Sequence, residues 1–237
     1  MSVLTKIRRG EGPGWRFLKS FVRKCLSAHV PVNVATRPLF GFLYALHVAT
    51  RELLGASLRF AWYEPLFRSQ CYTVGPMFRM EKLPYITGKG KIVIGEDVEF
   101  SGKPGMAFGN RHFPAPELIV GDRVFIGHGC NFSIARSITI GNDCLIAGGS
   151  SIRDNDGHSS VAAERRLGIP ASSDAIKPVI IGNDVWIGAG VRIMKGVRIG
   201  DRSIIAAGAI VTADIPEDVV AAGIPARVVR NNPPKSL

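Results

Sequence analysis

Among the residues able to move a proton near neutral pH, His158 has the most suggestive setting. It lies in RDNDGHSS, residues 153–160, with Asp154 and Asp156 just before it. Imidazole takes up and returns a proton in this pH range, so His158 is a candidate general base, and either aspartate is close enough in sequence to orient its ring. The competing readings are a solvated loop histidine and two turn aspartates that cap their own backbone. Four cysteines, Cys25, Cys71, Cys130 and Cys144, form no CxxC pair, and the start MSVLTKIRRGEGPGW has no apolar signal-peptide core. Both observations point to a reducing, intracellular setting.

The elements that must hold His158 are announced by a repeat. From Ile181 an aliphatic residue returns at every sixth position, through Ile187, Ile193, Ile199 and Ile205 to Val211. Four residues after each stands a smaller or branched one: Val185, Val191, Val197, Ser203, Ala209 and Ile215, while Gly182, Gly188 and Gly200 directly follow aliphatic positions. A period of six fits neither an α-helix nor an alternating strand, but it suits a coil that turns after each short flat segment, three segments making one triangular rung. The pattern recurs upstream at Ile94, Val120, Ile126, Ile140, Ile146 and Ile152, and slips by two residues between Phe132 and Ile140, where a bulged corner is expected. Cys130 and Cys144 fall in the small inward slot and read as core. Two stretches break the register: residues 101–118, rich in Gly and Pro, and the longer loop 153–178, which His158 opens. Long excursions from a compact frame are usually functional or disordered.

These repeats resemble the hexapeptide-repeat acyltransferases, which implies a mainly β protein, a left-handed parallel β-helix over roughly 91–230, with a helical extension at 1–90 and a tail at 231–237. The order of repeat, histidine, loop and restart at KPVIIGNDVWIGAG is similar to the maltose and galactoside O-acetyltransferase branch. That likeness implies that His158 removes the proton of a sugar hydroxyl as its oxygen attacks the acetyl group of acetyl-CoA, a donor activated enough to need no metal. It also implies that a backbone N–H holds the oxyanion, and that Asn131 binds the acceptor. Trp186 is assigned by it to the acceptor cleft or to a subunit face, and Asp154 joins the acceptor set. The last coils resemble those of coenzyme A-dependent members. Small residues there, Ala189, Gly190, Ala206, Ala207 and Gly208, would let a pantetheine arm approach, although ordinary corner geometry explains glycine equally well. Lys195, Arg227 and Arg230 are candidates for the coenzyme phosphates, with a solvated surface as the alternative. His128 in FIGHGC resembles a γ-class carbonic anhydrase motif, but the histidine pair five residues apart that those enzymes need is missing, so no metal site is expected. The family further implies a homotrimer with sites in grooves between neighbouring coils, and the outward Phe125 and Trp186 agree with a buried subunit face.

The net charge of +11 is unevenly spread: 14 Lys/Arg oppose 4 Asp/Glu in residues 1–90, against 16 and 15 in 91–237. Segments 15–30 and 38–68 carry apolar residues at helical spacing among these cations. They suit an anionic membrane surface or a cap over the first coil, and both readings stay open. The apolar run 38–50 is too short to span a bilayer. The basic residues form no recognised nucleic-acid motif, so no nucleic-acid partner is expected. The expected activity is O-acetylation of a sugar or lipid-linked saccharide of a surface polysaccharide, at the inner face of the membrane. N-acylation of an amino sugar nucleotide and a non-catalytic membrane scaffold are the alternatives.

Overall fold

The computed structural model describes residues 13–109 and 111–232. The chain divides near Leu53 into two compact units. In the first, α1 (Pro13–Ser27) has no acidic residue in its first turn and Lys24 in its last. Asn33 then starts α2 (Arg37–Leu58): its Oδ1 accepts the N–H groups of Ala35 and Thr36, both at 3.0 Å. No helix among the described residues is long and apolar enough to cross a membrane.

In the second unit a π-helical turn, Arg59–Tyr63, leads into α3 (Glu64–Arg68). This short helix places the fully buried Phe67 against Phe78 and Phe100, with ring centroids 5.2 and 5.7 Å away. The end of the coil stack is thus closed by one aromatic cluster. The left-handed β-helix begins at Thr73, well before the expected boundary at 91: the strands Thr73–Val74, Arg79–Met80 and Tyr85–Thr87 already pair in parallel with the coil that follows. Six coils build three parallel faces. On the far side an antiparallel hairpin, Val219–Gly223 with Ala226–Asn231, finishes the stack.

The hexapeptide residues form the interior. Ile94, Val120, Ile140, Ile181 and Ile199 stack in register on the first face. Phe100, Ile126, Ile146, Ile187 and Ile205 do so on the second, and Met106, Phe132, Ile152, Ile193 and Val211 on the third. All are buried. Cys130 and Cys144 are buried in the small slot, as expected, and burial pushes the Cys144 thiol up to about 11. The small slot also admits Ser150 and Ser203, because each hydroxyl donates to a backbone carbonyl of the next turn, Gly188 at 3.1 Å and Pro216 at 2.6 Å.

The corner between the first and second faces explains the residues after the aliphatic position. A Cβ on Gly141 would lie 2.6 Å from the Gly182 carbonyl of the next coil, so only hydrogen fits. The adjacent side chains form a ladder down the stack: Asp122, Asn142, Asn183 and Asp201 each accept a backbone N–H from the coil before, at 2.8–2.9 Å. The next position is left-handed in every coil without being glycine, at Met77, Asp97, Arg123, Asp143, Asp184, Arg202 and Asp218. There Arg123 grips Asp143 with two bonds of 2.6 and 2.7 Å, and Arg202 does the same to Asp218 at 2.7 Å.

Candidate functional site

Both excursions leave the frame at the corner between the third and first faces. The first is shorter than expected: Gly105–Phe108 remains a coil strand, and only the segment up to Pro116 departs. The second leaves after Ser151–Arg153 and returns at Val179–Ile181, carrying the small helix α4 (Ala162–Arg166). Between them lies the coil whose register slips. Its corner is bulged at Ala135 and Arg136, as the phase of the repeat requires, and Asp154 of the next coil braces it. The Asp154 side chain is completely buried; its oxygens accept the N–H groups of Ala135 at 2.8 Å and Arg136 at 2.6 Å, and the Asn155 amide donates to it at 2.8 Å. A carboxylate so enclosed cannot meet an acceptor, so this member of the expected acceptor set is a backbone brace instead.

The two excursions clasp one another where His112 Nε2 bonds the Ala171 carbonyl at 2.8 Å. They enclose a cleft of about 330 Å³ lined by Arg111, His112, Ala135, Asn155, His158 and Arg165, among others. His158 is exposed on its wall, and its imidazole has no hydrogen-bond partner among the described residues. Its neighbour Asp156 does not orient it: the Asp156 carboxylate pairs with Lys195 from the following coil. That pair pins the start of the loop to the frame. It also separates Lys195 from the other expected coenzyme contacts, because Lys195 follows the third-face strand Arg192–Ile193 on the loop side.

Those contacts gather at the opposite edge of the third face. From the fourth coil to the sixth, the corner between the second and third faces carries Gly148, Gly149, Ala189, Gly190, Ala207 and Gly208, with no side chain beyond a methyl group. Ala206 lies beside them, its N–H bonded to Ala221 at 2.9 Å, and Ala222 of the same strand is paired with Arg227. Arg230 stands on the same hairpin strand, and both arginines are exposed. Gly190 and Gly208 have φ of +68° and +72°, so the turn itself demands glycine at those two points, as the corner-geometry reading held. His128 opens this edge from the coil above: Gly102 and Gly148 leave it room, since a Cβ on either would come within 2.6–2.9 Å of its side chain. No group of three or more possible metal ligands occurs among the described residues.

Asn131 is exposed at the start of the third-face strand Asn131–Ile134, between the two corners, with its amide donating to the Gly129 carbonyl at 2.9 Å. Trp186 is on the second face, 52% exposed, in an outward column with Phe125, Leu145, Ile204 and Val220. It is therefore away from the cleft that the described residues form around His158. Sequence reasoning missed Arg111, His112, Asn155 and Arg165. The signal available was the pair of register breaks, whose positions two coils apart at one corner imply that they meet.

Family models for bacterial transferase hexapeptide repeats and for the hexapeptide repeat of succinyl-transferase match residues 178–213 and 117–153. An Escherichia coli K12 protein provisionally named as the lipopolysaccharide biosynthesis O-acetyl transferase WbbJ is 31% identical over 158 residues, covering 62% of this chain and 74% of the relative. The chain belongs to the hexapeptide-repeat transferases. The Escherichia coli K12 galactoside O-acetyltransferase is 41% identical over 121 residues, 45% of this chain; the chain spans just over half of that relative, 57% of its length. A hexapeptide-repeat-containing acetyltransferase of Vibrio cholerae shares the fold, with a TM-score of 0.50 and 26% identity over 72% of this chain and 80% of its own.

Proposed function

We propose that this hexapeptide-repeat transferase moves an acetyl group from acetyl-CoA to a hydroxyl of a saccharide destined for a surface polysaccharide. The observation that carries the reading is an exposed imidazole, His158, without a hydrogen-bond partner among the described residues, on the wall of a cleft clasped between two loops. An alcohol is a poor nucleophile until its proton is removed, and a neutral imidazole in contact with it serves as the base. The hydroxyl oxygen bonds to the thioester carbonyl carbon while His158 takes the proton. As the tetrahedral centre collapses, the carbon–sulfur bond breaks and the imidazolium returns the proton to the leaving thiolate. The names of the relatives, a galactoside O-acetyltransferase and one assigned to lipopolysaccharide biosynthesis, support a sugar acceptor.

The donor is assigned to the small-residue edge of Ala189, Gly190, Ala206, Ala207 and Gly208, with Arg227 and Arg230 at its end for the phosphates. A homotrimer brings one chain's edge to another's cleft across the third face, where Asn131 stands. The full chain is expected to bind acetyl-CoA at one site per chain in a calorimetric titration. His158→Ala should retain that binding and lose roughly 10²–10⁴-fold in acetyl transfer. An ester product, labile to mild base, supports O-transfer; an amide would assign the chain to N-acylation, and a variant as active as the parent would return the scaffold reading.

The location follows from α1. At 100° per residue Trp15, Phe17, Leu18, Phe21, Val22 and Leu26 occupy about half of the helix circumference, and Arg16, Lys19, Arg23 and Lys24 the rest. Phe17, Phe21 and Leu26 are 74%, 55% and 83% exposed. An apolar face flanked by cations and free of carboxylates suits an anionic lipid surface, while the cap over the first coil is supplied by Phe67 of α3. The proposed location is therefore the inner face of the membrane, peripherally bound.

A further inference from the structure

The electrostatic lining of the His158 cleft says more about its occupant than the fold does. Among the described residues the ionisable side chains on its wall are Arg111, Arg165, His112 and His158, with no carboxylate. Of the four acidic residues on the His158 loop three are already engaged, and the fourth, Asp174, does not line the cleft. Asp154 is buried against the Ala135 and Arg136 N–H groups, Asp156 is paired with Lys195, and Glu164 accepts the Ser159 hydroxyl. The two guanidinium charges are therefore left without a counter-charge among the described residues.

One of them is also fixed in place. Arg165 Nη1 donates to the carbonyls of Ser159 at 2.9 Å and Ser160 at 2.6 Å, which ties the guanidinium plane to the loop that carries His158. Its Nε and Nη2 have no partner among the described residues. A planar fork held on one side and open on the other is arranged to receive two oxygens of one anion. Arg111 reaches the same cleft from the other excursion and makes no ion pair among the described residues. The cleft, at about 330 Å³, is of the size that holds a small ligand.

We infer that the saccharide received in this cleft is an anion, bearing a carboxylate or a phosphate gripped by Arg165 and Arg111 while a hydroxyl is offered to His158. The inference rests on the reading of the cleft as the acceptor site, and it makes Arg165 and Arg111 specificity-determining residues. Both donors are needed for different reasons: Arg165 supplies direction through its fixed plane, and Arg111 adds charge from the facing loop.

The test is equilibrium binding of three probes to the full chain at about 0.15 M salt: methyl β-D-glucuronide, glucose 1-phosphate and methyl β-D-glucoside. At least one anion is expected to bind tenfold or more tightly than the neutral glucoside, and which one does so tells carboxylate from phosphate. Arg165→Gln and Arg111→Gln should each weaken that anion about tenfold. Arg79→Gln, on the second face and bound to Asp97 and Glu99, should not, since it removes the same charge elsewhere. Equal binding of all three probes, binding of neither anion, or an equal loss in Arg79→Gln would overturn the inference. An acetyl-CoA titration separates the two readings: anion binding without acetyl-CoA binding leaves the anion site standing and removes the transferase.

Discussion

At the scale of single residues, the division between His158 and Asp154 is the instructive one. Both stand in the same short segment, yet one is exposed with no hydrogen-bond partner among the described residues and the other is enclosed by three donors. Asp154→Ala would leave the buried Ala135 N–H and the part-buried Arg136 N–H without their acceptor, a loss of about 1–3 kcal/mol. The urea midpoint should fall accordingly, with the bulged corner loosened first and the cleft floor with it. His158→Ala should leave the same midpoint unchanged. Sequence separates neither role, because an Asp two residues from an exposed loop looks like any turn aspartate; only the coil before it, brought alongside by the solenoid, shows what its oxygens accept. For His158 the order of repeat, histidine and loop was enough to place it on a loop that walls the cleft. For Arg165 and Arg111 it was not, since their meeting depends on two loops nearly fifty positions apart leaving one corner.

At the scale of elements, the six-residue period was legible because it records the interior directly: each aliphatic position from Ile181 to Val211 is buried, and the two-residue slip after Phe132 is a physical bulge. The first coil escaped notice although Val74, Met80 and Ile86 keep the same spacing, because Phe78 fills the slot where a small residue is the rule and the segment adjoins cationic helices. The corner ladder was equally invisible, for an arginine in one coil and an acid in the next mean nothing until the coils stack. It carries a pH dependence. The Arg123 and Arg202 guanidinium groups hold the Asp143 and Asp218 carboxyls below their ordinary range. A carboxylate with a lowered folded-state pKa stabilises the fold above its unfolded value and ceases to do so as pH falls through the folded one. The midpoint of urea unfolding should therefore hold steady from neutral pH to about 4 and decline below it. Since these pairs face solvent, high salt should shrink the decline, and Arg123→Gln with Arg202→Gln should flatten it.

For the whole molecule, the uneven charge predicts where the chain goes. With vesicles containing about 30% phosphatidylserine the full chain should sediment, whereas with phosphatidylcholine alone it should stay in solution. Phe17→Ser with Phe21→Ser should weaken the association, and so should salt, as expected when an apolar face and cations act together. Equal recovery on both vesicle types would leave the helices without a lipid role. A different consequence follows from how the longest excursion joins the frame. Across it the register is uninterrupted, Ile138 pairing with Val179 and Ile140 with Ile181, as if the intervening residues were not there. Lengthening such a closed segment costs little, about 0.6 kcal/mol for each doubling. The solenoid is thus a chassis and the segment an interchangeable cassette: a graft taken from a transferase with another sugar preference should fold in place and change the Arg165 side of the cleft while Arg111 on the other excursion stays as it is.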